Sequence, residues 1–550
     1  MKKNLFIIIV IACALLGLGS CKKAFLDRVP QDAYSATSGD ANALLTGVYQ
    51  GSSVGNFEWG PPAWASGSSV VYWDCMSDNA YSTYYWEEIQ AYGNGTITPS
   101  SNYAINDWAS NYVTIGKCNY FLANIAGLET DTATLNNMVA QVKFIRAYEY
   151  FVLSQLYGDV PLVTTQLTPA QANQSVRTPK AQVTAFILSE LKSALPNLLS
   201  ESKYRGTPNE GHITIGAATA LKMRVELYNA DYADCITDCE SLMHMGYSLD
   251  PSYTDLFRTP NQYTNPEIIS AVQYIANPGS YSNGMLAVMP SNSMGGQASI
   301  CPLQSLVDDY EMTNGKVITD PTSGYDPLHP YINRDPRLAM TILYPGEAYT
   351  QAAGTTSYYD PLDATSPDYY LPPTSNRSAS GYIVKKFTSN LPDYNAYGLY
   401  QTGLNMIVFR YAEVLLSYAE AKVESGQIDA TVYTALNQIR NRVGMPSVNQ
   451  ATYSTQASLR SLVRRERRVE LAMEGLRYYD IQRWKIGPQT LSGQTYGARL
   501  GTVDGTNGTY TITGDSLKVE SRIFADKNYL WPVPQAQIDL DKNLKQNPGF

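Results

Sequence analysis

Apolar residues recur at helical spacing through much of the chain. From Ala140 the sequence QVKFIRAYEYFVLSQLYGDVPLV puts Val142, Ile145, Val152 and Leu156 on one face and stops at Gly158, with Pro161 beyond. That pattern predicts a helix that exits into extended chain. Pro179 opens a second helix, PKAQVTAFILSELKSALPNLL, and the two are expected to form a hairpin. ITIGAATALKMRVELYNADYADCITDCESLMHMGY follows, with small residues at Ala217, Ala220 and Ala230, Tyr228 before the turn and a second apolar helix after it. A third pair is FRYAEVLLSYAEAKVESGQIDATVYTALNQIRNRVGMP, with Gly426 at the turn and Pro446 past the end; Ser458 to Lys485 supplies the fourth. The spacing is tetratricopeptide-like. Hairpins that cannot bury their apolar faces alone predict a mostly α chain stacked in a right-handed sense.

The repeats, about 139–274 and 405–485, are not consecutive. Residues 275–404 are rich in Tyr, Pro, Gly, Ser and Asn with little helical period, and read as a large non-helical, loop-rich insertion. Segment 41–138 precedes the repeats and 486–550 follows them, the whole of 41–550 forming one body.

The stretch SLRSLVRRERRVELAMEGLRYYDIQRWK changes this picture through its charges. Drawn as one helix, Leu462, Val469, Met473 and Leu476 share a side with Glu466 and Asp480. Buried carboxylates need partners, and Arg464, Arg465, Arg467, Arg468, Arg477 and Arg483 are the candidates. An internal charge lattice is expected. The alternative makes Glu466, Glu470 and Glu474 catalytic, as in glycoside hydrolysis, but so many arginines would keep every carboxylate ionised.

Lys plus Arg is 40 and Asp plus Glu is 49, a net charge of −9, which argues against a nucleic-acid partner. Met1-Lys2-Lys3, an apolar LFIIIVIACALL and Leu18-Gly19-Ser20-Cys21 read as a lipoprotein leader over 1–20, with Cys21 as the lipidated first residue of a tether over 21–40. Cys75, Cys118, Cys235, Cys239 and Cys301 remain, an odd number, so at least one thiol is unpaired. Cys235 and Cys239 stand one helical turn apart and read as buried small apolar residues. Three scattered histidines, His212, His244 and His329, give no metal set or triad. No catalytic residue, cofactor or metal is predicted.

Tyrosine is 43 residues against 12 Phe. Rings with a polar tip suit amphipathic ligands, sugars first among them. Phe57 to Tyr92 concentrates Trp59, Trp64, Tyr72, Trp73, Tyr81, Tyr84, Tyr85, Trp86 and Tyr92 among Gly, Pro, Ser and Asn. In such a loop not every ring can enter a core. Trp86, Tyr84, Tyr85, Tyr81 and Trp73 are candidate stacking residues, with Asp78 and Asn79 to fix hydroxyls and Tyr281 and Asn283 as weaker candidates from the insertion. The competing reading packs about half of these rings onto the helices.

RRERRVELAMEGLRYYDIQRWK closely resembles the C-terminal signature of the SusD/RagB family, the substrate-binding lipoproteins of outer-membrane nutrient uptake. CKKAFLDRVP, RAYEYF with YGDVPL, DDYEMTNG, YINRDPRL, GYIVKKF and YLWPVPQAQIDLDKNLKQNPGF resemble further blocks in order. Lys22 and Lys23 stand where many surface-exported lipoproteins carry acids. The resemblance implies an outer-membrane lipoprotein, without enzymatic activity, that binds a nutrient glycan and passes it to a SusC-like TonB-dependent transporter. It also implies a site built from the early segment and the insertion, opposite the repeats. The alternatives are a surface glycoside hydrolase, a peptide-binding uptake protein and a scaffold with a protein ligand.

Overall fold

The computed structural model describes residues 40–51, 71–125, 131–276, 282–350, 355–371, 376–388 and 398–550. Cys21, Tyr281, Trp59 and Trp64 lie outside them. The main helices are α1 Ala41–Gly51, α2 Asn102–Asn124, α3 Thr132–Tyr157, α4 Lys180–Ala194, α5 Ile215–Tyr228, α6 Tyr232–Met243, α7 Tyr411–Glu424, α8 Ala430–Arg442, α9 Gln456–Glu470 and α10 Arg477–Trp484. The strands that matter are β1 Ala80–Ser82, β2 Ile268–Val272, β3 Ile300–Pro302, β4 Met406–Arg410, β5 Gly493–Val503 and β6 Tyr510–Arg522.

The fold is mostly helical. Helix α3 packs on α4, α5 on α6 and α7 on α8, as the hairpin reading expects. Asp131 caps α3 by accepting from Thr134 N at 2.9 Å, and Gly158 ends it at φ 75, a backbone conformation that costs glycine little. Helix α6 also packs on α7, so the stack is continuous in space although the insertion intervenes in sequence. Strands β2 and β4 pair antiparallel across the neck of that insertion, Ile268 opposite Arg410 and Val272 opposite Met406.

The stretch 458–485 is not one helix. A capping box between Thr455 and Ser458 starts α9, which ends at Glu470, and α10 begins only at Arg477. Between them Met473 takes φ 65 and Gly475 φ 76. Tertiary bonds replace the helical ladder there: Lys386 Nζ donates to Glu470 O at 3.0 Å and Ala472 O at 2.9 Å, and Gly475 N donates to Asp74 Oδ2 at 2.8 Å. These bonds hold Met473 in a conformation a side chain ordinarily avoids.

The buried charge lattice is present. Glu466 accepts from Arg337 Nη1 at 2.5 Å and Arg440 Nη1 at 2.8 Å, and Asp480 from Arg467 Nε at 2.8 Å and Arg483 Nε at 2.9 Å. Glu470 accepts from Arg410 Nη1 at 2.8 Å and Arg442 Nη2 at 2.5 Å. Several partners differ from those expected: Arg337, Arg410, Arg440 and Arg442 come from other parts of the chain, while Arg464 binds Glu424 and Arg465 binds Glu311. Burial alone would raise the pKa values of Glu466, Glu470 and Glu474, yet the surrounding cations hold all three below the usual carboxylate value. Acids held ionised in this way cannot donate a proton to a glycosidic oxygen.

Two further elements were not expected. Helix α2 occupies 102–124 within the early segment, and β5 and β6 form a long antiparallel ribbon in the C-terminal segment. All five described cysteines are buried thiols without a disulfide. Among the described residues no helix is long and apolar enough to cross a membrane.

Candidate ligand-binding site

The described part of the early aromatic segment, 71–92, runs from a buried anchor to a turn that reaches the surface. Trp73 is buried, stacked on Trp531 at 5.6 Å and on Tyr479 at 5.1 Å. Asp78 is buried and binds Arg477 through both carboxylate oxygens, at 2.8 and 2.9 Å. Asn79 is buried too, donating to Asp74 Oδ1 at 2.6 Å and accepting from Arg468 Nε at 2.8 Å. Arg522 adds bonds to Ser77 O at 2.5 Å and Ala80 O at 3.0 Å. Trp73, Asp78 and Asn79 are thus corrections to the expected platform: ring stacking and charged partners turn all three inward. Asn283 is another, since it is buried at the neck of the insertion, where it donates to Leu404 O and accepts from Met285 N.

Strand β1 leads from this anchor to the surface. It pairs antiparallel with β3, Ala80 opposite Pro302 and Ser82 opposite Ile300, and so joins the early segment to the insertion. The chain then makes a single 3-10 turn, Tyr85–Glu87, closed by Glu88 at φ 59. Glu88 accepts from Asn102 N at 3.0 Å and Asn102 Nδ2 at 2.8 Å, binding the turn to the first residue of α2, where a carboxylate is favourably placed.

Tyr85 projects from this turn with 75% of its surface exposed. Tyr84, beside it, is buried, and its hydroxyl lies 3.0 Å from Gln297 O and 2.9 Å from Asn376 Oδ1, both in the insertion. Gln297 Nε2 in turn donates to Tyr400 OH at 3.2 Å, and Tyr400 is 44% exposed. Tyr81 is half-buried and accepts from Gln90 Nε2 at 2.9 Å. Trp86 belongs to the same turn, but its side chain lies outside the described residues, as does Tyr281. The arrangement offers exposed tyrosine faces beside amide groups, which suits a ligand with apolar ring faces and hydroxyl rims. Gln297, Asn376 and Tyr400 were not singled out from the sequence; only the general composition of the insertion pointed toward them.

Beneath the turn, Glu87 is buried and accepts from Tyr72 OH at 2.7 Å and Ser82 Oγ at 2.5 Å. Burial pushes its pKa from 4.5 up to about 7, with the bonds from Ser82 and Tyr72 opposing. Among the described residues no group of three or more His, Cys, Asp or Glu could hold a metal ion.

Residues 256–550 match the SusD family. The chain belongs to that family. Residues 24–227 match a second SusD-like description, "Starch-binding associating with outer membrane". Among relatives, SusD-like protein P2 of Formosa agariphila is 24% identical and aligns over 100% of both chains. A crystal structure described as a SusD-like carbohydrate binding protein of Bacteroides fragilis is 29% identical, with TM-score 0.77 over 92% of this chain and 98% of that one. A laminarin binding SusD-like protein, 22% identical, shares the fold with TM-score 0.69 over 93% of this chain and 99% of that one. The SusD fold thus accounts for both the helical hairpins and the insertion.

Proposed function

We propose that this chain is an outer-membrane lipoprotein that binds a nutrient glycan and delivers it to a SusC-like TonB-dependent transporter, without itself cleaving it. The observation that carries the reading is the exposed Tyr85 ring, held on a turn whose base is bonded into the charge lattice and whose flank is bonded to the insertion through Tyr84. A sugar ring stacked on such a face buries apolar C–H surface, while the Gln297 and Asn376 amides can meet its hydroxyls. SusD membership and the carbohydrate-binding relative of Bacteroides fragilis support a glycan over a peptide. The family description that names the outer membrane, together with the leader ending at Cys21, supports a lipid anchor with the body facing the cell surface. Tyr81 and Trp86 would extend the stacking surface.

The test is electrophoresis of the mature body through gels containing single polysaccharides, with reducing-sugar release followed in parallel, and affinity purification of the lipidated protein from membranes. Retardation by a polymer without product, and recovery of a TonB-dependent transporter, are the expected results. Released sugar would make the protein a hydrolase, and failure to recover a transporter would remove the delivery step.

A further inference from the structure

Among the described residues Arg377, which follows the site residue Asn376 in the chain, has no hydrogen-bond or ion-pair partner. The residue before it, Asn376, is held by the Tyr84 hydroxyl at 2.9 Å, and Ser378, after it, donates to Tyr382 O at 2.6 Å. With both neighbours fixed, and consecutive Cα atoms about 3.8 Å apart, the arginine backbone has a set position beside Tyr84. Its side chain is half-buried, and Nε is closed off from solvent with no hydrogen-bond acceptor.

The contrast with the rest of the chain is sharp. Among the described residues every other arginine donates at least one hydrogen bond to a carboxylate, carbonyl, amide or hydroxyl oxygen; Arg377 donates none and forms no ion pair. A guanidinium partly withdrawn from water loses hydration that only an acceptor restores. Its donors form a rigid planar fork that matches paired oxygens such as those of a carboxylate or sulfate. The residues that make up the neighbouring tyrosine site, Tyr84, Tyr85, Gln297, Asn376 and Tyr400, carry no formal charge.

We propose that Arg377 recognises an anionic substituent on the bound glycan, a carboxylate or a sulfate ester, and so directs this site to acidic polysaccharides. The inference rests on the glycan-binding reading above. The chain's net charge of −9 gives a polyanion no general attraction, so retention of one requires a local cation of this kind.

The experiment measures retention of wild type, Arg377→Ala, Arg377→Gln and Arg377→Lys in gels containing polygalacturonate, carrageenan or laminarin, which carry carboxylate, sulfate and no charge, with a thermal melt of each variant. Wild type is expected to be retained by at least one acidic polymer, and less so as salt is raised. Arg377→Ala and Arg377→Gln should weaken that retention tenfold or more at unchanged melting temperature. Arg377→Lys should recover part of it, as a point charge without the fork. The polymer affected tells carboxylate from sulfate. If laminarin alone is bound, equally by wild type and variants, the proposal is overturned while glycan binding stands. If wild type binds none of the three polymers, the proposal falls together with the reading on which it rests. If acidic polymers are retained equally by all four proteins, Arg377 is not the determinant.

Discussion

Arg477 grips Asp78 across 399 positions of sequence, Nε to Oδ1 at 2.8 Å and Nη2 to Oδ2 at 2.9 Å. This fork, from the first residue of α10, ties the family's C-terminal motif to the base of the turn that presents Tyr85. Arg468 reinforces it by donating to Asp78 O at 2.9 Å and Asn79 Oδ1 at 2.8 Å. The two guanidinium groups outweigh burial and hold the Asp78 carboxyl far below its usual range. A charge lattice that looks like internal stabilisation therefore also fixes the base of the turn that carries Tyr85.

Removing that link should cost stability first. Asp78→Ala leaves Arg477 buried without its acid, and breaking such a pair costs about 3–5 kcal/mol. Chemical denaturation should show a loss of that size, and ligand affinity should fall with it. Asp480→Ala, which strips Arg467 and Arg483 of a shared partner, should lose comparable stability while acting farther from the turn.

The carboxyl of Glu87 makes stability depend on pH. Its pKa in the folded protein is raised from 4.5 to about 7, so between those values the folded chain binds more protons than the unfolded one. Stability should therefore be greatest below about pH 4.5 as far as this group is concerned, decline as pH rises to about 7 and then level off, with a total change on the order of 3 kcal/mol. Glu87→Gln cannot ionise. The difference in unfolding free energy between wild type and this variant should follow that slope between pH 5 and 8; a constant difference would show that Glu87 does not titrate there.

In the proposed function, Cys21 carries the lipid anchor. Cys21→Ala should leave a folded protein in the soluble fraction when the proposed transporter is absent, because no described helix is long and apolar enough to replace the anchor. Fractionation of cells lacking the transporter checks this.

Much of the scaffold was legible because it rests on local periodicity: α3 through α8 follow their apolar spacing and end at Gly158, Gly426 and similar turns. Helix α2 was hidden because Asn102, Asn106, Asn111, Asn119 and Asn124 give it loop-like composition, although Asn111 and Asn119 are buried and hydrogen-bonded. The break after Glu470 depends on Lys386 and Asp74, distant residues that no local pattern reveals. The same limit applies to the site. Asp78 and Asn79 have the chemistry of ligand contacts, but which way they face depends on arginines almost 400 residues away. Tyr85 carries no local mark separating it from the buried Tyr84; pairing of β1 with β3 makes the difference.

Tyr85→Ala tests the account most directly, by calorimetric titration with the cognate polysaccharide and a thermal melt of the same sample. A ring with 75% of its surface exposed contributes little to the core, so the melting temperature should match wild type. Loss of its contact with a sugar face should remove roughly 1–3 kcal/mol of binding, about tenfold to a hundredfold in affinity. Unchanged affinity at an unchanged melting temperature would contradict the account and place the glycan elsewhere on the molecule.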